Sequence, residues 1–254
     1  MKSTFTYAAR HLVFSLLLLG IPGASAQESP ESVAEGRAKD PYRFVGLLSF
    51  TSDGGEFVGS ATVIKPYSVL TAAHNLYSEG TGWSTEVLFE RAYDRGTAAS
   101  RSRASQLIIL GGYSTAVDSG RGESNAGFSR DLGGFICFSR PAKGTFALWK
   151  SNPRLLTGSA YKMSLGYGAE IHSGEELLRS SSSRGFFKLT ANYFANDYYG
   201  IESGMSGGPV FTRSGGEWVV CAVNVSGPGN RVDEGVGVRA IDYDASELIR
   251  NDLE

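Results

Sequence analysis

From residue 43 onward the apolar positions fall in short runs, each closed by Gly, Ser, Asp, Asn or Pro. That rhythm belongs to strands, because helices space their apolar positions by three and four. Residues 44–50 and 56–64 are read as two strands. Between them, Ser52-Asp53-Gly54-Gly55 is a hairpin turn, since Asp-Gly tolerates the positive φ angles that a tight turn demands. Pro66 ends the second strand, residues 68–72 form a third, and His74 stands at its end. Residues 85–90, 106–110, 132–138, 161–167, 184–190, 210–212, 217–225 and 235–241 continue the series. The polar stretches 91–103 and 111–130 are read as exposed loops, and so is the serine patch 180–183. Only the end of the chain has a helical pattern: Asp244 can cap it, and Ala245, Leu248 and Ile249 share one face. Many short strands with little helix predict an all-β chain of antiparallel barrels or sandwiches.

The N-terminus breaks this pattern. Lys2 and Arg10 precede an apolar core over residues 12–20, and Ala24-Ser25-Ala26 is a small-residue cleavage site, so 1–26 reads as a secretory signal peptide. Its core is too short to span a bilayer. Residues 27–40 are polar and read as a flexible lead-in or pro-segment. The expected location is therefore extracellular or periplasmic. Of the formal net charge of −2, the leader carries two basic residues and no acidic one, so the mature chain is more acidic still. That balance argues against nucleic acid or an anionic membrane as partner. The only cysteines, Cys137 and Cys221, lie in apolar strand-like runs, which leaves buried thiols and a disulfide both open. No CxxC spacing occurs, and no metal or other cofactor is expected.

The chemistry concentrates in Gly204-Met205-Ser206-Gly207-Gly208-Pro209. Glycines allow backbone shapes that a Cβ forbids and let a substrate approach the main chain. Ser206 is a candidate nucleophile, and the N–H groups of Gly204 and Ser206 are candidate oxyanion donors. Serine needs a base, and the base needs an acid that fixes its tautomer. Of the three histidines, His11 leaves with the leader, and His172, among charged and small residues, reads as a surface residue. His74, between an apolar strand and a polar turn, is the candidate base, with a hydrogen-bonded structural role open beside it. Asp131, opening the apolar run after Arg130, is the candidate acid or a solvated strand-end carboxylate, and Asp94 and Asp118 in polar stretches are its rivals. The segment also fits G-x-S-x-G, the nucleophile elbow of α/β-hydrolases. That fold places its histidine after the serine, and none follows Ser206.

The order His74, Asp131, Ser206 resembles the chymotrypsin-like (trypsin-fold) serine proteases of secreted bacterial type, near the glutamyl endopeptidase branch. Gly59-Ser60-Ala61-Thr62-Val63-Ile64 with Val69-Leu70-Thr71-Ala72-Ala73-His74, Arg130-Asp131-Leu132-Gly133-Gly134, and Gly204-Met205-Ser206-Gly207-Gly208-Pro209-Val210 carry the resemblance. It implies two antiparallel six-stranded β-barrels: one over 41–150 carrying His and Asp, one over 151–254 carrying Ser and ending in a helix. It further implies a monomeric serine endopeptidase acting on protein or peptide substrates through an acyl-enzyme. An inactive protease-like binding module and an esterase on the same scaffold are the alternatives. The chain departs from the pattern at several places. Met205 replaces the aspartate of many relatives, and the framework disulfides are missing. In the region expected to bind substrate, Gly200 stands where trypsin-like members place an acidic pocket floor. Asn224 stands where the glutamate-specific branch places a histidine. Val225 and Ser226 are expected to hold substrate backbone by β-pairing. Asn224-Val225-Ser226 is also a glycosylation sequon, discounted because it falls within a strand.

Overall fold

The computed structural model describes residues 29–33, 36–170, 172–227 and 236–254. The signal peptide expected over 1–26, residues 27 and 28, and Gly235 lie outside them.

Six strands close into an antiparallel barrel: β1 (Val45–Ser52), β2 (Gly55–Val63), β3 (Ser68–Thr71), β4 (Thr85–Arg91), β5 (Ser100–Ile109) and β6 (Gly133–Cys137), in the order β1-β2-β3-β6-β5-β4. The Asp-Gly turn joins β1 to β2 with φ of 53° at Asp53 and 72° at Gly54, both in the left-handed region that this pair accepts. Leu48, Ala61, Val69, Phe89 and Phe135 fill the barrel and are buried.

The second half is an open sheet. Its strands are β7 (Lys162–Tyr167), β8 (Leu177–Ser182), β9 (Phe187–Lys188), β10 (Tyr193–Asn196), β11 (Pro209–Ser214), β12 (Glu217–Ser226) and β13 (Val236–Ala240). The order runs from Glu31–Ser32 through β8-β7-β11-β12-β13-β10-β9, with Leu148–Trp149 pairing parallel to β12. The second closed barrel expected from the sequence is thus an open nine-stranded sheet among the described residues. Its two end strands are only two residues long, too short to complete a ladder.

Several sequence expectations need correction. The stretch 91–103 is not all loop: β5 begins at Ser100, because Arg101 and Arg103 project outward to pair with Glu90 and Glu86 on β4 while Ser102 turns in. The stretch 111–130 holds two short helices, α1 (Tyr113–Asp118) and α2 (Asn125–Phe128), which bury Tyr113, Val117 and Phe128. The serine patch is the end of β8, where Ser180 is buried and its Oγ accepts the Gly200 N–H at 3.0 Å. Of the strand expected over 184–190 only Phe187–Lys188 forms, and β10 is an additional strand. The C-terminal helix (Tyr243–Glu247, continued as a π-helical turn over Leu248–Asp252) is capped by Asp242 rather than Asp244. The Asp242 carboxylate accepts the Ala245 N–H at 3.0 Å. Ala245, Leu248 and Ile249 are buried as the pattern predicts.

The seam between the halves is apolar. Leu47, Ile64 and Leu70 of the barrel pack with Leu165, Phe211 and Val223 of the sheet in one buried cluster. The ends of the chain are exchanged across that seam. Glu31–Ser32 lies antiparallel on β8 of the sheet, and the Val33 N–H bonds to Leu177 O at 2.8 Å. At the other end, Leu253 is fully buried against Gly134 of the barrel, and its carbonyl accepts the Ser68 hydroxyl at 2.9 Å.

Candidate active site

His74 sits in a single 3₁₀ turn (Ala73–Asn75) where β3 leaves the barrel. Asp131 lies just before β6, which is paired with β3, so the barrel ladder itself brings the two residues together. The contact is double. The His74 backbone N–H donates to Asp131 Oδ1 at 2.9 Å, and His74 Nδ1 lies 2.6 Å from Oδ2. An ionised carboxylate only accepts, so Nδ1 carries the proton and Nε2 is left as a base. Asp131 is buried, while His74 is about a third exposed. Burial works against the charged imidazole. The Asp131 charge and its hydrogen bond outweigh that, with Glu123 adding, and the His74 pKa is raised above 6.5.

The rival acids are elsewhere. Asp94 pairs with Arg37 at 2.5 Å, and Asp118 accepts the Tyr77 hydroxyl at 3.1 Å. His172 is not the solvated residue the sequence suggested. Its Nδ1 lies 2.6 Å from Oε1 of buried Glu202.

Ser206 is carried by a turn pinned to the histidine half. Its carbonyl accepts the Ser60 N–H at 2.8 Å and the Asn75 side-chain amide at 3.0 Å. Gly207 has φ +81°, and a Cβ there would collide with Thr71 and Ser60, so only glycine lets the serine turn lie against the strand leading to His74. Gly204 has φ +93°, and a Cβ would stand 2.5 Å from Tyr167 O. The Gly204 carbonyl is drawn to the Ser60 hydroxyl at 2.8 Å. Met205 N–H bonds to Glu202 O at 3.0 Å and Gly207 N–H to Asn224 O at 2.8 Å. Among the described residues the N–H groups of Gly204 and Ser206 have no partner. Buried or half-buried N–H groups rarely stay unpaired unless a ligand or water is meant to meet them.

His74, Asp131 and Ser206 line one cleft of about 690 Å³ between the halves. No hydrogen bond joins Ser206 Oγ to His74 among the described residues; such bonds are often long before substrate binds. Val225 and Ser226 line the cleft too, at a bulge where β12 loses register with β13. Gly200 and Asn224 do not. Gly200 is buried behind it on Ser180. Asn224 is fully buried, accepts the Ser164 hydroxyl at 2.9 Å and donates to Met205 O at 3.2 Å, so it braces the serine turn from below. Met205 is a core residue packed with Leu178, Tyr199 and Val210, which accounts for an apolar side chain before the serine. Sequence reasoning missed Ser60 and Asn75. Their signal was a polar residue inside the apolar run 59–64 and an amide directly after the histidine.

No family model matches the chain, and no curated protein sequence matches it. Solved structures do. A thermostable serine protease, AL20, from an extremophilic microorganism superposes with TM-score 0.66 at 19% identity, over 83% of this chain and 97% of that one. Protease Anisep from Arthrobacter nicotinovorans gives 0.63 at 19%, covering 83% and 95%. A Glu endopeptidase in complex with MPD gives 0.70 at 16%, covering 89% and 97%. At such identities the likeness is one of fold: this chain has the trypsin-like protease fold.

Proposed function

We propose that the chain is a secreted serine endopeptidase whose catalytic residues are Ser206, His74 and Asp131. Ser206 Oγ attacks the scissile carbonyl carbon while His74 Nε2 takes its proton. The carbonyl π electrons move to oxygen, and the unpartnered N–H groups of Gly204 and Ser206 receive the oxyanion. The tetrahedral species collapses, the C–N bond breaks, and His74 returns the proton to the leaving amine. The acyl-enzyme then loses its acyl group to water by the same steps. Asp131 holds the imidazole in the Nδ1–H tautomer and stabilises the imidazolium between transfers. Val225 and Ser226 pair with extended substrate backbone.

The observation that carries this reading is the His74–Asp131 pair opening into the same cleft as Ser206, whose turn holds two backbone N–H groups with no partner among the described residues. A fluorophosphonate tests it, because only an activated serine reacts quickly. Ser206→Ala should abolish labelling and lower peptide turnover by roughly 10⁶-fold. His74→Ala should cost about as much, and the double variant no more, because the residues act as a unit. A folded wild type that neither labels nor cleaves would leave the protein a binding module on a protease scaffold.

A further inference from the structure

We propose that the cleft selects substrates with Lys or Arg side chains near the bond that is cut, so that the natural targets are cationic peptides or proteins. The inference rests on the hydrolytic reading of Ser206 and names the substrate class of that site. Four glutamates line the cleft, Glu79, Glu123, Glu170 and Glu202, and no Lys or Arg is among the described lining residues. Glu202 is buried against His172. The other three are exposed, and among the described residues none of them makes an ion pair or side-chain hydrogen bond.

Their placement gives the charge a direction. Glu79 follows the histidine turn and Glu123 lies between α1 and α2, both on the barrel wall; Glu170 follows β7 on the facing wall. A peptide lying across Ser206 therefore runs between two walls that both carry carboxylates. The whole chain is only mildly acidic at −2, so the acidity of the described lining is a local concentration and not a reflection of bulk charge. A concave site with low-dielectric walls focuses such a field, and within about 10 Å it outlasts ordinary salt. The selection falls on the exposed Glu79, Glu123 and Glu170, because the buried Glu202 is engaged by His172.

The test compares two fluorogenic peptides cut at the same residue, one with Lys at the flanking positions and one with Gln. At about 0.02 M salt, kcat/KM should favour the Lys peptide by about tenfold or more. The preference should shrink to within about threefold near 0.5 M salt, as screening of exposed charges requires. In Glu79→Gln/Glu123→Gln/Glu170→Gln the low-salt preference should vanish. If that variant does not fold, Glu170→Lys alone should cut the preference at least about threefold. Equal cleavage of the two peptides by wild type, or a preference that survives neutralisation, overturns the proposal. Fluorophosphonate labelling of the same preparation separates the levels: labelled Ser206 without cation preference overturns this inference alone, whereas an unlabelled serine overturns the hydrolytic reading beneath it.

Discussion

Replacing Asp131 with asparagine probes the link between fold and chemistry most directly. The carboxylate receives two hydrogen bonds from His74, at 2.9 Å from the backbone and 2.6 Å from Nδ1. Asparagine preserves the shape but can turn its NH₂ toward the ring. Nδ1 then becomes the acceptor, the proton moves to Nε2, and the base is lost at the atom that must face Ser206. In the established Ser-His-Asp template the same change lowers kcat about 10⁴-fold, or about 5 kcal/mol of transition-state stabilisation. The pH signature is equally specific. In wild type the His74 pKa is raised: burial lowers it, and the Asp131 charge and hydrogen bond more than offset that. The pair therefore stabilises the fold fully below pH 6.5, and this contribution is lost as pH rises through the raised value. Asp131→Asn removes the two largest raising causes, so the His74 pKa falls and the acid limb of kcat/KM moves to lower pH. Imidazole proton shifts by NMR and a pH–rate profile on one peptide read both effects. A folded variant within tenfold of wild-type activity, or a His74 pKa that stays put, refutes the assignment of Asp131.

Gly204→Ala places a Cβ at φ +93° and 2.5 Å from Tyr167 O, so it should fold with reduced stability and displace one oxyanion donor. A loss of about 10²–10³ in kcat is expected, read by turnover beside thermal unfolding. Leu253→Ala empties a fully buried site against the barrel and should cost about 2–5 kcal/mol in denaturant titration, although it lies on neither the cleft nor a strand. Cys137 and Cys221 are buried free thiols, each pushed up to about 12 by burial. Both should resist a thiol reagent at pH 8 until the protein is unfolded, and two equivalents should then react.

The sequence exposed those features in which a residue type has few physical uses. Asp53-Gly54 could only be a tight turn, and a histidine ending an apolar strand upstream of Ser206 left one base to choose. Elsewhere the cue was ambiguous. Ser180 reads as loop because serine favours turns, yet a buried partner at Gly200 makes it strand. Arg101 and Arg103 look solvated because an outward strand face and a loop have the same polarity; cross-strand carboxylates decide between them. Asn224 matched a specificity position by spacing alone. Spacing does not say which way a side chain points, and here it points under the serine turn toward Ser164. The closure of the second half was equally illegible, since it depends on which short strands find edges.

The crossed segments bear on how the two halves hold together. Leu253 is buried against the barrel, while Glu31–Val33 edges the sheet, so each half is strapped by backbone that reaches it across the seam. Neither half can open without freeing a strap of its neighbour, and the two should therefore unfold as one cooperative unit.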